Sequence, residues 1–231
     1  MEVIELLRQG MEEYGLDTAS AEGLMTYLNA MLAKNEVVNL TAIRDPQEAM
    51  QLHLLDALSL LTDFDFKGKK VIDVGCGAGL PGMPLRIAEP SVSLTLLDST
   101  GKKIEFLKEC CASMGLRDVT CLHARAEETG LRECFDVAVS RAVAQLNVLA
   151  ELCLPFVKVG GWFCAMKAVA SQEEVDTAMS AIKKLGGRLD RQVDVRIPGT
   201  QVVHRLVWIE KVAPTPAAYP RRYAKIKASP L

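Results

Sequence analysis

The chain has 231 residues, of which 49% are apolar and 24% are charged, and its formal net charge is −2. This composition is typical of a globular protein with a sizeable core, and the charge gives no overall sign of nucleic-acid binding. No apolar run reaches the roughly 18 residues of a membrane-spanning helix, and residues 1–5 do not resemble a signal peptide. We therefore expect no membrane contact. The seven cysteines include no Cys-x-x-Cys pair, so we expect reduced thiols, no metal site and a cytoplasmic location.

The first 66 residues are predicted to be helical. Apolar side chains recur at helical spacing within residues 4–11, 24–32 and 50–61, and Asp45-Pro46 is typical of a helix start. Residues 35–43 form a polar-apolar connector between these helices. We therefore predict a helical extension over residues 1–66, packed on a domain of residues 67–231 that ends in a basic tail.

From Lys69 onward the pattern alternates between strands and helices. Strands are predicted at 70–75, 92–98, 119–124, 135–140 and 161–167, and helices at 82–89, 101–115, 144–157 and 171–185. This alternation indicates βαβ crossovers and a parallel sheet. Two last apolar runs, 189–197 and 203–212, lie on either side of Pro198-Gly199 and predict an antiparallel pair at one edge. The expected fold is α/β, a doubly wound Rossmann-like sheet of seven strands.

Positive charge is concentrated after the predicted sheet core. From Gly187 onward, nine lysines and arginines stand against Asp190, Asp194 and Glu210. A basic segment on a near-neutral chain suggests contact with a local anion, and a solvated surface explains the composition equally well.

A glycine-rich loop, Gly75-Cys76-Gly77-Ala78-Gly79-Leu80-Pro81-Gly82, follows the first predicted strand. Glycine permits positive φ and close approach of the backbone to a ligand. Residues 77–82 fit the dinucleotide fingerprint, but Pro81 removes an amide donor that a pyrophosphate would use. The other register, Asp73-x-Gly75-x-Gly77-x-Gly79, resembles the motif of class I S-adenosylmethionine methyltransferases. A purely structural turn is the third interpretation.

The next strand ends carry further candidate ligands, because ligands of open α/β sheets bind beyond the carboxyl ends of the strands. Asp98 ends the second strand, where a carboxylate accepts ribose hydroxyls; a helix cap is the alternative role. The third strand leads into Ala126-Glu127-Glu128, a loop that contacts adenine in class I methyltransferases. These glutamates are equally suited to the start of a helix.

The fourth strand ends at Ser140-Arg141. The Asn/Asp-Pro-Pro-aromatic sequence of enzymes that methylate exocyclic amines is absent, and no Pro-Cys pair suggests a cytosine-C5 enzyme. A planar guanidinium at the mouth of a cleft suits a phosphate, a carboxylate or a base edge. A structural salt bridge is the alternative role of Arg141.

Taken together, these segments resemble the RsmG (GidB) family of bacterial methyltransferases that act on guanine N7 of 16S ribosomal RNA. The matching segments are Asn39-Leu40-Thr41, His53-Leu54-Leu55-Asp56-Ala57-Leu58, the loop at 75–82, Ala126-Glu127-Glu128, Ser140-Arg141-Ala142-Val143-Ala144, Tyr219-Pro220-Arg221-Arg222 and Ser229-Pro230-Leu231. One departure is Ser99-Thr100-Gly101-Lys102-Lys103, where many relatives have Asn-Lys-Arg. The resemblance implies a class I methyltransferase fold and S-adenosylmethionine as cofactor.

The resemblance also assigns candidate site residues. Cofactor contacts carried over from the family are Gly75, Leu80, Ala126, Glu127 and Arg141. The glycine motif adds Asp73, Gly77 and Gly79, and the position at a strand end adds Asp98. The expected RNA contacts are Lys102, Lys103, Arg125, Lys167, Arg221 and Arg222.

The implied reaction needs no general base, because guanine N7 carries a free lone pair and no proton. We therefore expect catalysis by in-line positioning, with Arg141 placing the cofactor or the RNA. The expected partner is 16S ribosomal RNA or the small-subunit particle, and the expected oligomeric state is a monomer. The alternatives are a methyltransferase for another RNA, a protein or a small molecule, a nicotinamide enzyme, and a non-catalytic nucleotide-binding regulator.

Overall fold

The computed structural model describes residues 2–141, 144–169 and 172–231. Its helices are α1 Val3–Glu13, α2 Ala21–Asn35, α3 Pro46–Ala49, α4 Asp56–Leu58, α5 Gly82–Ala88, α6 Gly101–Ser113, α7 Leu146–Cys153, α8 Gln172–Lys184 and α9 Tyr223–Ala228. Its strands are β1 Lys70–Val74, β2 Ser93–Asp98, β3 Val119–His123, β4 Phe135–Arg141, β5 Val157–Ala168, β6 Gly187–Arg196 and β7 Val203–Lys211. A π-helical segment, Met50–Leu55, joins α3 to α4, and 3₁₀ turns lie at Thr18–Ser20, Ser59–Thr62, Ala126–Glu128 and Leu154–Phe156.

Within these ranges the strands form one seven-stranded sheet in the order β3-β2-β1-β4-β5-β7-β6. Strands β1 to β5 pair in parallel, and β7 pairs antiparallel with both β5 and β6. This arrangement confirms the predicted doubly wound sheet and its antiparallel edge pair. The strand order changes direction between β1 and β4, the position at which open α/β sheets bind ligands.

Different helices cover the two faces of the sheet. Successive strand residues point to opposite sides, so two neighbouring residues of β1 show which helices lie on each face. Val71 belongs to a buried cluster with side chains of α1, α2, α5 and α6, whereas the next residue, Ile72, packs with α7, α8 and α9. The N-terminal helices therefore share a core with one face. In addition, the Tyr27 hydroxyl on α2 donates a 2.7 Å hydrogen bond to the carbonyl of Ala78 in the glycine loop. The division of the chain at residue 66 stays a prediction.

The start of α3 agrees with its sequence signals. Asp45 caps α3 by accepting a 2.8 Å hydrogen bond from the amide of Glu48, and Pro46 occupies the first helical position. Proline is tolerated there because that amide has no partner within the helix.

Two predicted boundaries in the C-terminal half were wrong. The helix predicted over 144–157 ends at Cys153, because Pro155 interrupts it with a 3₁₀ turn. Strand β5 consequently starts at Val157 rather than 161, and its pairing with β4 shifts register after Phe135. Gly160 lies in this irregular stretch with a φ of +83°, which glycine adopts readily. The helix predicted over 171–185 corresponds to α8, and residue 171 itself lies outside the described residues.

Candidate active site

A cleft with a volume of about 500 Å³ opens at the carboxyl ends of β1 and β2. Its lining comprises Val74, Gly75, Leu97, Asp98, Ser99, Thr100, Lys103, Ala124, Arg125, Ala126, Glu127, Arg141, Leu149, Leu152 and Tyr223. The structure thus brings together five of the predicted cofactor residues with two of the predicted RNA residues. Pockets of this size typically hold small organic ligands.

The glycine loop forms one wall of this cleft. Gly75, Gly77 and Gly79 have φ values of 72°, 58° and 100°, which other residues rarely adopt. The Gly75 amide donates a 2.8 Å hydrogen bond to the carbonyl of Leu97, so the loop is bound to the end of β2. A Cβ on Gly79 would lie 2.6 Å from Cδ2 of Leu107. This glycine therefore allows close packing against α6, whereas Gly75 lines the cleft.

Asp73 lies beneath the loop rather than at the cleft surface. Its side chain is buried, and its Oδ2 accepts a 2.8 Å hydrogen bond from the amide of Gly82. Burial raises the pKa of Asp73 to about 7, since water no longer solvates the charged form. Asp73 thus holds the start of α5 in place. Leu80 is also buried, in the core beneath the loop. Direct cofactor contacts by Asp73, Gly77, Gly79 and Leu80 stay predictions.

Asp98 connects the glycine loop to the following helix. Its Oδ2 accepts a 2.9 Å hydrogen bond from the amide of Gly77, and its Oδ1 accepts one of 2.8 Å from Thr100. The N-cap residue of α6 is Thr100 and it has no side-chain cap, so Asp98 stabilises the turn before the helix and is not the helix cap considered for it. Each carboxylate oxygen can accept a second hydrogen bond, so Asp98 keeps acceptor capacity for a ligand in the cleft.

The loop after β3 forms the far side of the cleft. Ala126 and Glu127 lie in a 3₁₀ turn, and both line the cleft. Glu127 Oε1 accepts a 3.3 Å hydrogen bond from the amide of Tyr223 in the C-terminal tail. The Arg125 guanidinium lies 5.5 Å from the centre of the Tyr223 ring. Tyr223 was not among the predicted site residues, because nothing in its local sequence indicates this position.

Arg141 lies in the cleft and also forms a buried ion pair. Its Nη1 donates hydrogen bonds of 2.7 Å to Asp56 Oδ2 and 3.0 Å to the carbonyl of Leu52. Asp56 is 1% exposed, and its Oδ1 lies 2.6 Å from Nδ1 of His204. The structural salt bridge considered for Arg141 is therefore present, and the same side chain remains accessible from the cleft. Sequence reasoning had not assigned Asp56 or His204 to the site.

A second contact joins the connector after α2 to this ion pair. Nη2 of Arg141 lies 3.3 Å from Nδ1 of His53, and Nε2 of His53 lies 2.8 Å from Oγ1 of Thr41. Burial, together with the charge of Arg141, lowers the pKa of His53 to about 4. His53 is therefore neutral near pH 7. Segments 39–41, 53–58 and 140–141, which are far apart in sequence, thus form one hydrogen-bonded network.

The contacts among Arg141, Asp56 and His204 shift the pKa values of Asp56 and His204 in opposite directions. Burial alone would raise the pKa of Asp56, but hydrogen bonds and charges from His204 and Arg141 outweigh burial and lower it. The hydrogen bond to Asp56 raises the pKa of His204 above its usual value, against the effect of partial burial. His204 lies opposite Ala168 at the start of antiparallel β7, which brings it to the carboxyl edge of the parallel strands. The predicted antiparallel direction of this last strand was the sequence signal that could have placed His204 at this edge.

The six predicted RNA contacts fall into two groups. Lys102, Arg125 and Arg222 are exposed, and Lys103 lines the cleft. The others are engaged within the protein: Lys167 lies 2.5 Å from Glu174, and Arg221 lies 2.6 Å from buried Glu151. The charge of these two is already balanced, so the exposed group offers more to an RNA phosphate.

Comparison with known proteins identifies the family. The sequence model of the GidB family, described as rRNA small subunit methyltransferase G, matches residues 20–199. "Ribosomal RNA small subunit methyltransferase G" of Alkaliphilus metalliredigens is 45% identical over 96% of each chain. The protein of the same name from Alkaliphilus oremlandii is 44% identical over the whole of both chains. The chain belongs to the GidB family.

Membership of this family confirms the resemblance inferred from the motifs and makes the chain an S-adenosylmethionine-dependent methyltransferase. The motif at 140–144 includes Ala142 and Val143, which lie outside the described residues. Of the described segments that carried the resemblance, 75–82, 126–128 and 140–141 contribute residues to the cleft, and 39–41 and 53–58 contribute residues to the network around Arg141. Among the residues that the structure describes, no helix is long and apolar enough to cross a membrane.

Solved structures agree on the fold. M. jannaschii TYW2 in complex with AdoMet has a TM-score of 0.58 at 16% identity, covering 74% of this chain and 80% of that one. A SAM-dependent methyltransferase from Aquifex aeolicus has a TM-score of 0.53 at 19% identity, covering 73% of this chain and 99% of that one. These likenesses confirm the class I methyltransferase fold.

Proposed function

We propose that this enzyme transfers a methyl group from S-adenosylmethionine to N7 of a guanine in 16S ribosomal RNA of the small subunit. The observation that carries the proposal is the family match over residues 20–199, which includes the glycine loop, the β3 loop and Arg141 of one cleft. The named relatives supply the substrate class, and the motif at the end of β4 favours the N7 position.

The residues that line the cleft suit the methionine, ribose and adenine parts of the cofactor. Gly75 approaches the methionine end without a Cβ, and Asp98 offers carboxylate oxygens to the ribose hydroxyls. Ala126 and Glu127 line the end assigned to adenine. Asp73, Gly77, Gly79 and Leu80 act indirectly in this assignment, by holding the loop in its left-handed conformation and against the core.

The proposed chemistry requires positioning and no proton transfer. Bound S-adenosylmethionine supplies an electrophilic methyl group, and the lone pair of guanine N7 is already a nucleophile. Positive charge moves to the base, so a guanidinium is a poor stabiliser of the product. Arg141, held by Asp56 and the Leu52 carbonyl, is therefore assigned to positioning.

The RNA surface is proposed to surround the mouth of the cleft. Lys103 and Arg125 line the cleft, and exposed Lys102 and Arg222 are next in sequence to the cleft residues Lys103 and Tyr223. All four can therefore attract phosphates near its mouth. Lys167 and Arg221 have internal carboxylate partners and are assigned smaller roles. We further propose that the enzyme acts as a monomer in the cytoplasm, where ribosomal subunits of bacteria are assembled.

Methyl transfer from tritiated S-adenosylmethionine to small-subunit RNA that lacks the modification tests this proposal. Free RNA, 30S particles, ribosomal proteins and a small-molecule extract are incubated separately with the enzyme. Label in the RNA of either of the first two samples is expected. Label confined to protein or to small molecules would favour another methyltransferase, and preferential calorimetric binding of NAD would favour a nicotinamide enzyme.

A further inference from the structure

The C-terminal tail is attached firmly beside the cleft. The backbone amide and Nε of Arg221 each donate a 2.8 Å hydrogen bond to Oε1 of Glu151, and Nη2 donates one of 2.6 Å to Oε2. Glu151 is fully buried on α7, and Ile226 of α9 is buried among side chains of α7 and α8. A buried carboxylate with three charge-assisted or amide donors fixes the position of the chain. The tail is thus part of the folded domain.

This attachment places Tyr223 in the wall of the cleft. Tyr223 lines the cleft directly, and its amide donates to Glu127 Oε1 at 3.3 Å. Arg125, which also lines the cleft, has its guanidinium 5.5 Å from the ring centre. Tyr223 therefore adjoins the end of the cleft that is assigned to adenine.

Apolar side chains of α7 complete this end of the cleft. Leu149 and Leu152 both line it and are almost fully buried. Together with the Tyr223 ring they provide apolar surface beside the polar groups of Ala126 and Glu127. Flat aromatic ligands with polar edges bind to surfaces of this kind, since their faces are apolar and their edges form hydrogen bonds.

We propose that Tyr223 forms an aromatic wall of the adenine subsite, so that the C-terminal tail is a structural part of the cofactor site. The inference rests on the placement of the cofactor proposed above. It gives the basic tail two functions: Arg221 anchors it through Glu151, and Tyr223 contacts the cofactor. Exposed Arg222 remains available to RNA.

Calorimetric titration of the full chain with S-adenosylmethionine and with 5′-methylthioadenosine tests the inference. Tyr223→Ala is expected to raise the dissociation constants of both ligands by about tenfold, within the range for loss of an aromatic ring stacked on a base. Tyr223→Phe keeps the ring and is expected to stay within about twofold of the wild type. Lys225→Ala is the matched control, since this residue is exposed on the same short helix.

A second measurement covers the case in which Tyr223→Ala disorders the tail. The chain has four tyrosines, so nuclear Overhauser effects from the Tyr223 ring to adenine H2 or H8 can be assigned in the wild type by their loss in Tyr223→Leu. Their presence supports the inference. Their absence with ligand bound, or wild-type affinity in Tyr223→Ala, overturns it.

Failure of the cofactor placement gives a different result. Asp98→Ala removes a carboxylate from the centre of the proposed site. If the wild type binds S-adenosylmethionine and Asp98→Ala leaves the affinity unchanged, the placement itself is wrong. If Asp98→Ala weakens binding and Tyr223→Ala does not, only the role of Tyr223 is wrong.

Discussion

The ion pair between Asp56 and Arg141 offers a sharp test of how the N-terminal helices are joined to the active site. Asp56→Asn keeps the size of the side chain and removes its charge. Arg141 and His204 would then share a neutral amide at a position where the native carboxylate is 1% exposed. Arg141 would retain its positive charge with no carboxylate beside it, although its side chain is only 14% exposed.

We expect Asp56→Asn to lower the free energy of unfolding by about 3 kcal/mol, the lower end for breaking a buried pair by removing one partner. Asp194→Asn is the matched control. Its pair with Arg205 has similar distances, 2.6 and 2.9 Å, but the Asp194 side chain is 43% exposed. Exposed pairs contribute about 0–1 kcal/mol. Urea unfolding followed by circular dichroism measures both losses.

The loss caused by Asp56→Asn should also depend on pH. The pKa of His204 is raised in the folded state, so its contribution is fully present below the usual value of 6.5 and declines as pH rises through the raised pKa. The pKa of Asp56 is lowered, so its contribution disappears only as pH falls through that lowered value. The loss should therefore be largest between these two limits. A loss below about 1 kcal/mol, equal to that of Asp194→Asn at every pH, would refute the reasoning.

Three further predictions concern the loop, Arg141 and RNA binding. Burial raises the pKa of Asp73 from its usual 3.8 to about 7. As pH rises between these values, the free energy of unfolding of the wild type should fall by on the order of 4 kcal/mol relative to that of Asp73→Asn, as measured by denaturant unfolding. Parallel pH profiles of stability for the two proteins would contradict a buried Asp73 carboxyl. Arg141→Lys should reduce kcat for methyl transfer by about tenfold and should also lower the unfolding midpoint, because an ammonium keeps the charge opposite Asp56 but lacks the planar fork that makes the buried contacts; near-wild-type turnover would leave Arg141 a purely structural role. Lys102→Ala with Lys103→Ala should lower the salt dependence of RNA binding by roughly two phosphate contacts in filter-binding assays, whereas Lys167→Ala should lower it less, and the reverse order would contradict the assignment.

Much of the cleft was predictable because parallel strands end at a common edge. Asp98 and the Ala126-Glu127 pair each follow an apolar run, and a strand end needs only local sequence to be recognised. Their appearance around the glycine loop follows from the topology. The antiparallel edge pair was likewise predictable from two apolar runs joined by a short Pro-Gly turn.

The remaining features depend on contacts between distant segments. Tyr223 reaches the cleft on a tail that is held by the pair of Arg221 with Glu151, 70 residues earlier in the chain, and by buried Ile226. His204 and Asp56 are 148 positions apart. Whether a lysine or arginine faces solvent or a buried carboxylate is decided by such partners, and composition does not contain that information. This is why Lys167 and Arg221 resembled surface charges in the sequence.

The early end of α7 has a similar explanation. Pro155 lies within an apolar stretch whose periodicity continues past it, so the pattern alone predicts a longer helix. The structure ends the helix at Cys153 and begins β5 at Val157, since proline removes an amide donor and disfavours helical geometry before it.

The most direct test of the central claim is the position of the transferred methyl group. Small-subunit RNA lacking the modification is methylated by the enzyme with tritiated S-adenosylmethionine, digested to nucleosides and separated by chromatography with mass detection. The label is expected in 7-methylguanosine, at a single guanine that becomes sensitive to borohydride and aniline cleavage. Label on an exocyclic nitrogen or on another base, or no label in RNA, would contradict the account.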